Sequence, residues 1–449
     1  MILIVGFLLV FLLGFLLVLF FPVVTRRTEQ VGLALLLGIG GYTTVLFYAN
    51  WLGMKLTRGT TFLILILLIG LCIALQWKTI RAFGWPKPDL RKIKRPTLAE
   101  IALVLVLVFL VGAITAKNLY WPVFANDAHS YDGRAKFMVH EGDIHIKLLD
   151  SGISGASNLT YPPNFPLALS LSYFWGATHQ SKIVITFYFI ALLLVFYSQL
   201  ARYVSRLNAL IFTFLLTISP ELYCHAALGL TNLPAAAYLS AGTLYLFIWR
   251  KEQNRLYLLL AGALIGLSGG IRADALFFAL VSLAVAALWT VSKKKHFKDI
   301  AFYALFVLVL SLSWQLYLRV NLHVSSEQAF DVSQLSDMSR LKKMLRFAWL
   351  VAFPSGYHGW TFYIFAAALL INLFTRAKEL RPLLLLIGLY IASILVIYDA
   401  ANFDVMRNMM MHSFKRMLFY FLPLVLYYSA MTRGVDACFR KVMAFQNRG

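Results

Sequence analysis

The residues able to do chemistry are a few carboxylates and a group of cations, gathered in short segments. The segment Tyr120-Trp121-Pro122-Val123-Phe124-Ala125-Asn126-Asp127-Ala128-His129-Ser130-Tyr131-Asp132 supplies two acids. A carboxylate within hydrogen-bond reach of a hydroxyl can take its proton as the oxygen attacks. Asp127 is the first candidate for that task and Asp132 a later one. The plainer reading of the same residues is a helix cap, with Asp127 or Ser130 starting a helix over 131–140. Glu221, in Ser219-Pro220-Glu221 ahead of Tyr223 and His225, is another candidate base. A carboxylate at a membrane boundary must be solvated or paired, which is the ordinary account of it.

The cations lie mostly near the C-terminus. The stretch 402–416 contains Arg407, His412, Lys415 and Arg416. A bound anion accounts for such a cluster, whereas snorkelling or contact with anionic lipid is the plainer explanation. Arg272 joins this group as a candidate anion ligand, although in Gly269-Gly270-Ile271-Arg272-Ala273-Asp274 it can simply pair with Asp274. The prolines of Tyr161-Pro162-Pro163-Asn164-Phe165-Pro166 force a rigid, extended entry. The apolar run after them is too short to span a bilayer and predicts an interfacial helix on the outer leaflet. His140-Glu141-Gly142-Asp143-Ile144-His145 has the residue types for a divalent metal but not a dependable ligand spacing, so no cofactor is assigned.

These segments must be positioned by membrane helices. The 449 residues are 61% hydrophobic and 13% charged, against about 25% charged in a soluble domain, which excludes a soluble globular protein. The net charge of +22 is carried mostly by short loops between apolar runs, a pattern of membrane orientation and not of nucleic-acid binding. Cys72, Cys224 and Cys438 are too dispersed for a disulfide framework. The fold class expected is an all-α polytopic membrane protein with about 13 transmembrane helices, at 2–21, 31–49, 61–77, 99–116, 183–200, 207–219, 233–249, 256–270, 273–291, 300–318, 361–375, 382–398 and 417–431. The first run lacks a basic leader and a cleavage site, so it reads as a retained helix. Lys and Arg recur in every second loop, which places the N-terminus outside and the C-terminus in the cytoplasm. The acids then gather on the outer side, where the long segments 117–182 and 319–360 lie.

In order, Asp127, the Tyr161–Pro166 segment, Ser219-Pro220-Glu221 with Thr231-Asn232-Leu233-Pro234, and His412-Ser413-Phe414-Lys415-Arg416-Met417 before Leu422-Pro423 resemble the GT-C glycosyltransferases. These are multi-span enzymes that use polyprenyl-phosphate sugars, such as protein O-mannosyltransferases and the lipid A aminoarabinose transferase. The resemblance covers 99–431; 1–98 reads as added N-terminal helices with a basic cytoplasmic loop, and 432–449 as a basic cytoplasmic tail. Two departures stand out: Asn232-Leu233-Pro234 replaces the frequent Asp-Leu-Pro, and the usual acidic pair is split into Asp127 and Asp132.

The resemblance implies an inverting transfer of a sugar to an extracytoplasmic acceptor, whether envelope glycan, lipid or protein, at a bacterial inner membrane. Asp127, with Glu221 or Asp132 behind it, acts as base. Lys415 and Arg416, with His412, Arg407 and Arg272, hold the donor phosphate, while Tyr161, Pro162 and Pro163 form the substrate loop. A transporter or flippase of a lipid-linked or small anionic substrate is the alternative, as is a non-catalytic member. Ionisable residues are scarce within the spans, which favours surface chemistry over translocation.

Overall fold

The computed structural model describes residues 2–82, 95–123, 126–147, 161–176, 180–290, 297–322, 337–375, 377–399, 413–435 and 437. Among them there is no strand. The helices in chain order are α1 (Ile2–Val18), α2 (Arg27–Trp51), α3 (Arg58–Ala82), α4 (Leu98–Tyr120), α5 (Asn126–Glu141), α6 (Asn164–Phe174) and α7 (Ile183–Leu200). Next come α8 (Arg206–Thr217), α9 (Pro220–Leu228), α10 (Asn232–Glu252), α11 (Arg255–Ile271), α12 (Ala275–Thr290) and α13 (Phe297–Tyr317). The last are α14 (Met338–Ala352), α15 (Ser355–His358), α16 (Thr361–Thr375), α17 (Arg381–Asp399), α18 (Lys415–Leu418) and α19 (Leu422–Ala430).

The chain is a helical integral membrane protein, but its helices divide differently from the thirteen expected spans. Six described helices are long and apolar enough to cross a membrane, or seven if α8 and α9 form one broken span. Pro220 supplies the break: it has no N–H to continue α8, and the two axes diverge by 64°. The expected final span is divided as well, because a 3-10 turn at Phe419–Phe421 separates α18 from α19. Helices α1, α11, α12 and α16 are apolar but have 17 residues or fewer.

The centre of the bundle is α10, buried at every position from Asn232 to Trp249. Small residues bring backbones close around it. A Cβ on Gly14 of α1 would stand 1.8 Å from the Ala34 carbonyl oxygen of α2, and one on Gly38 of α2 would stand 2.3 Å from that of Val10. Gly262 and Gly266 likewise admit α13 against α11; a Cβ on Gly266 would meet the Phe306 carbonyl oxygen at 2.8 Å.

The two ends of α2 anchor the bundle. At its start, buried Glu29 accepts from Arg202 at 2.7 and 2.8 Å, from Gln199 at 2.6 Å and from Tyr245 at 2.6 Å. This net fastens α2 to α7 and α10, so the N-terminal helices are packed into the same bundle. At the other end, Asn50 donates to the Gly142 carbonyl at 3.4 Å and accepts from the Ile144 N–H at 3.0 Å. Leu56, in the turn after α2, donates to that same carbonyl at 2.8 Å. The C-terminal end of α5 is therefore held by the α2–α3 turn.

Helix α6 starts directly after Pro162 and Pro163, with Pro166 in its first turn and Pro163 already in the helical region instead of the expected extended entry, and all its residues but Tyr173 are buried. This corrects the expected interfacial helix. Both faces of α6 are apolar, and Tyr131 of α5 packs edge-on to Phe165 at 5.6 Å. The helix serves as a floor beneath α5 and is not a raft on lipid. A capping box starts α4, with Thr97 and Glu100 each accepting from the other's backbone N–H, which satisfies two otherwise orphaned donors. Near the other end of α4, Asn118 donates to Ala226 O of α9 at 2.8 Å and to Thr186 of α7 at 3.0 Å.

Candidate active site at one end of the bundle

Asp127 lies in the first turn of α5, where the helix dipole favours negative charge. The helix begins at Asn126, earlier than the expected 131–140. Its N-terminal turn sits against the end of α9: a Cβ on Gly229, the α9 cap with φ +74°, would be 3.8 Å from Ala128. This left-handed cap is where glycine is favoured, and it brings α5 and α9 together. Arg416 Nη1 of α18 donates to Asp127 Oδ2 at 2.9 Å. The Asp127 side chain is 53% exposed and that of Arg416 35%, so the carboxylate is reachable from outside while a guanidinium holds one oxygen.

Glu221 stands in the first turn of α9, the same dipole position. Its Oε1 is 3.3 Å from His225 Nε2 and its Oε2 is 4.0 Å from Lys415 Nζ. The Lys415 ammonium also lies over the Tyr357 ring at 4.8 Å. His225 is buried and stacks on Phe419 at 4.9 Å. Two neighbouring cations of α18 thus reach two acids from different helices, Arg416 to Asp127 and Lys415 to Glu221.

His358 belongs to the same cluster and carries no sequence signal. It is fully buried, and neither ring nitrogen has a hydrogen-bond partner. Its carbonyl accepts from Ser219 Oγ at 3.4 Å, which docks α15 on the start of α9. Burial pushes its pKa down to about 4, with Lys415 adding to the depression and Glu221 opposing it. The ring is therefore neutral at pH 7.

Asp132 is placed quite differently. It is buried and accepts from Tyr173 and, at 2.6 Å, from Ser181. Lys136 Nζ is 2.9 Å from its other oxygen. Those partners tie α5 to α6 and to the approach to α7, a fastening position. Beside it, buried Lys182 is pushed down to about 8 by burial and by Lys117, against the pull of Asp132.

Arg272 pairs with Asp274, through Nε to Oδ1 at 3.0 Å and Nη2 to Oδ2 at 2.8 Å. Its remaining arm donates to Thr231 at 3.1 Å, and its face lies over the Tyr161 ring at 5.4 Å. The fork is filled by a carboxylate of its own turn. Tyr161 meets Tyr131 edge-on at 5.7 Å, and the Pro163 carbonyl accepts from Leu167 in the first turn of α6, with Pro162 between them. Asn232 donates to the Tyr420 hydroxyl at 3.2 Å.

Arg407 and His412 lie outside the described residues. Among the described residues, no three His, Cys, Asp or Glu side chains converge as a metal site. In the 140–145 segment, Asp143 accepts from the His145 N–H and Glu141 from the Lys147 N–H, at 2.9 Å each.

No protein-family model matches this chain, and neither a curated protein nor a solved structure does. Its chemistry therefore rests on the site itself.

Proposed function

We propose that this protein is a membrane glycosyltransferase that moves a sugar from a polyprenyl-phosphate donor to an acceptor hydroxyl, with inversion. The observation that carries the reading is the contact between Asp127 and Arg416 at 2.9 Å. It puts a reachable carboxylate beside a cation, the two charges such a transfer needs. A sugar joined through C1 to a lipid phosphate requires cations where negative charge develops on the leaving group; Lys415 and Arg416 supply them, with Arg407 and His412, earlier in the same segment, as reserves. Asp127 takes the acceptor proton as the hydroxyl oxygen bonds to C1. The C1–O bond to the phosphate breaks, and the lipid phosphate departs with that electron pair.

Glu221 holds Lys415 and is the second candidate base. Asp132, engaged by three partners, is read as structural. Arg272, already paired, lines the site without holding the donor. An apolar cleft of about 620 Å³ between α1, α2, α4 and α7 is lined by Phe7, Leu35, Leu119 and Phe187 among others. A cleft of that size and lining suits a lipid chain, and Leu119 and Ile183 on its wall are close in sequence to Lys117 and Lys182. We place the reaction on the outer face of a bacterial inner membrane, with an envelope glycan, lipid or protein as acceptor.

The test is mass spectrometry of lipid that co-purifies with the full chain. A bound polyprenyl phosphate is the expected result. Bulk phospholipid alone, with no sugar transfer from a polyprenyl-phosphate sugar in the absence of any ion gradient, overturns the reading.

A further inference from the structure

Below the rim, α5 carries a buried cation that the reaction above does not use. Arg134 is 6% exposed. Its Nη1 donates to the Tyr161 carbonyl at 2.8 Å, and its guanidinium carbon lies 5.2 Å from the centre of the Trp314 ring. Nε and Nη2 are buried with no hydrogen-bond partner. Burial lowers its pKa only to about 10, so it keeps its charge at pH 7.

Two partly buried guanidinium groups of this bundle have carboxylates: Glu29 for Arg202 and Asp274 for Arg272. Arg134 has none in hydrogen-bond reach among the described residues. The groups that influence its charge are the hydroxyls of Tyr131 and Tyr317, and burial holds Tyr131 above the usual range, hence neutral. A buried charge with unmade donors is costly to retain for structure alone, because an apolar side chain of similar volume does as well or better. Such a fork is matched by a carboxylate or a phosphate.

The walls narrow the ligand further. Trp314 stacks on Tyr317 at 5.3 Å, and the Trp314 indole Nε1 is itself buried without a partner. Tyr131 and Tyr161 complete the surroundings. Aromatic faces combined with a few aimed donors suit a ligand with an apolar face and polar edges, which describes a sugar ring. Arg134 is seven residues beyond Asp127 on one helix, about 10 Å along the axis at 1.5 Å per residue.

We propose that Arg134, with Trp314 and Tyr161, is a binding site for a saccharide bearing an oxyanion, a carboxylate or a phosphate, and that this saccharide is the acceptor. The site stands on the orphaned guanidinium; only the word acceptor rests on the transferase reading.

The experiment is ligand-dependent thermal unfolding of the purified full chain in detergent, with glucuronate, glucose 6-phosphate, inorganic phosphate and glucose as probes. Glucuronate or glucose 6-phosphate should raise the melting temperature at concentrations where glucose does not, and which one succeeds identifies the oxyanion. Arg134→Met should fold and weaken the effective probe at least tenfold. Arg134→Lys, which keeps the charge and loses the fork, should weaken it less. Glucuronate and glucose 6-phosphate no better than glucose, inorganic phosphate as the sole effective probe, or wild-type affinity in Arg134→Met overturns the proposal. Should Arg134→Met not fold, wild-type affinity in Arg134→Lys does so. The readout is the melting temperature alone, so the site is judged without turnover.

Discussion

Arg416 donates to Asp127 at 2.9 Å although 289 residues separate them in the chain. The contact joins the first turn of α5 to the first turn of α18. Both partners are partly solvated, so the pair adds only about 0–1 kcal/mol to stability. In the proposed transfer its role is chemical. Asp127→Asn should lower turnover by about 10² or more while leaving the melting temperature close to the wild type. Arg416→Ala should chiefly raise the donor concentration required. The double variant should lose less than the sum of the two, because each acts through the other. Normal turnover in Asp127→Asn would sink the base assignment.

Asp132 should behave in the opposite way. Its buried carboxylate accepts from Tyr173 and Ser181 and faces Lys136. Replacement by Asn weakens bonds to a charged acceptor, each worth about 1.5–3 kcal/mol. The melting temperature should fall by several degrees, with turnover per folded molecule nearly unchanged. A stable Asp132→Asn protein that has lost its activity would reverse the roles given to the two acids.

Lys182 gives the fold an unusual alkaline response. In the folded chain its proton is lost near pH 8, in the unfolded chain near 10.5. Between those values the unfolded state binds the extra proton, so stability rises as pH rises through that window. Below pH 8 the burial penalty is fully present. Denaturation from pH 7.5 to 10 should show this rise in the wild type and not in Lys182→Met; parallel curves for the two proteins would contradict it.

His358 acts at the acid end. The folded chain takes up its proton only near pH 4, and the unfolded chain does so from about 6.5 downward. Protons therefore favour unfolding in that window, and stability falls as pH drops through it. His358→Leu, which has no ring to protonate, should flatten the loss between pH 6.5 and 4.5. An acid limb equally steep in that variant would mean that other groups set it.

Several of these relationships were legible in the sequence. Continuous apolar runs of about 20 residues dictate a helical membrane protein, since in lipid every backbone group must be satisfied within the structure and only a helix does so within one such run. The Arg272–Asp274 pair could be read because both residues lie in one turn. Asp127, Lys415 and Arg416 could be singled out by type and position. What tertiary packing decided is which distant groups meet and which are covered. Local hydropathy could not show that Pro220 turns α8 into α9, that α6 is a buried floor, or that Asp132 is tied down while Asp127 stays open. It carried no sign of His358, a lone histidine in a connector, or of Arg134, whose weight comes from its lack of a carboxylate. Burial and counter-charge belong to helices packed against one another, and no stretch of chain encodes them by itself.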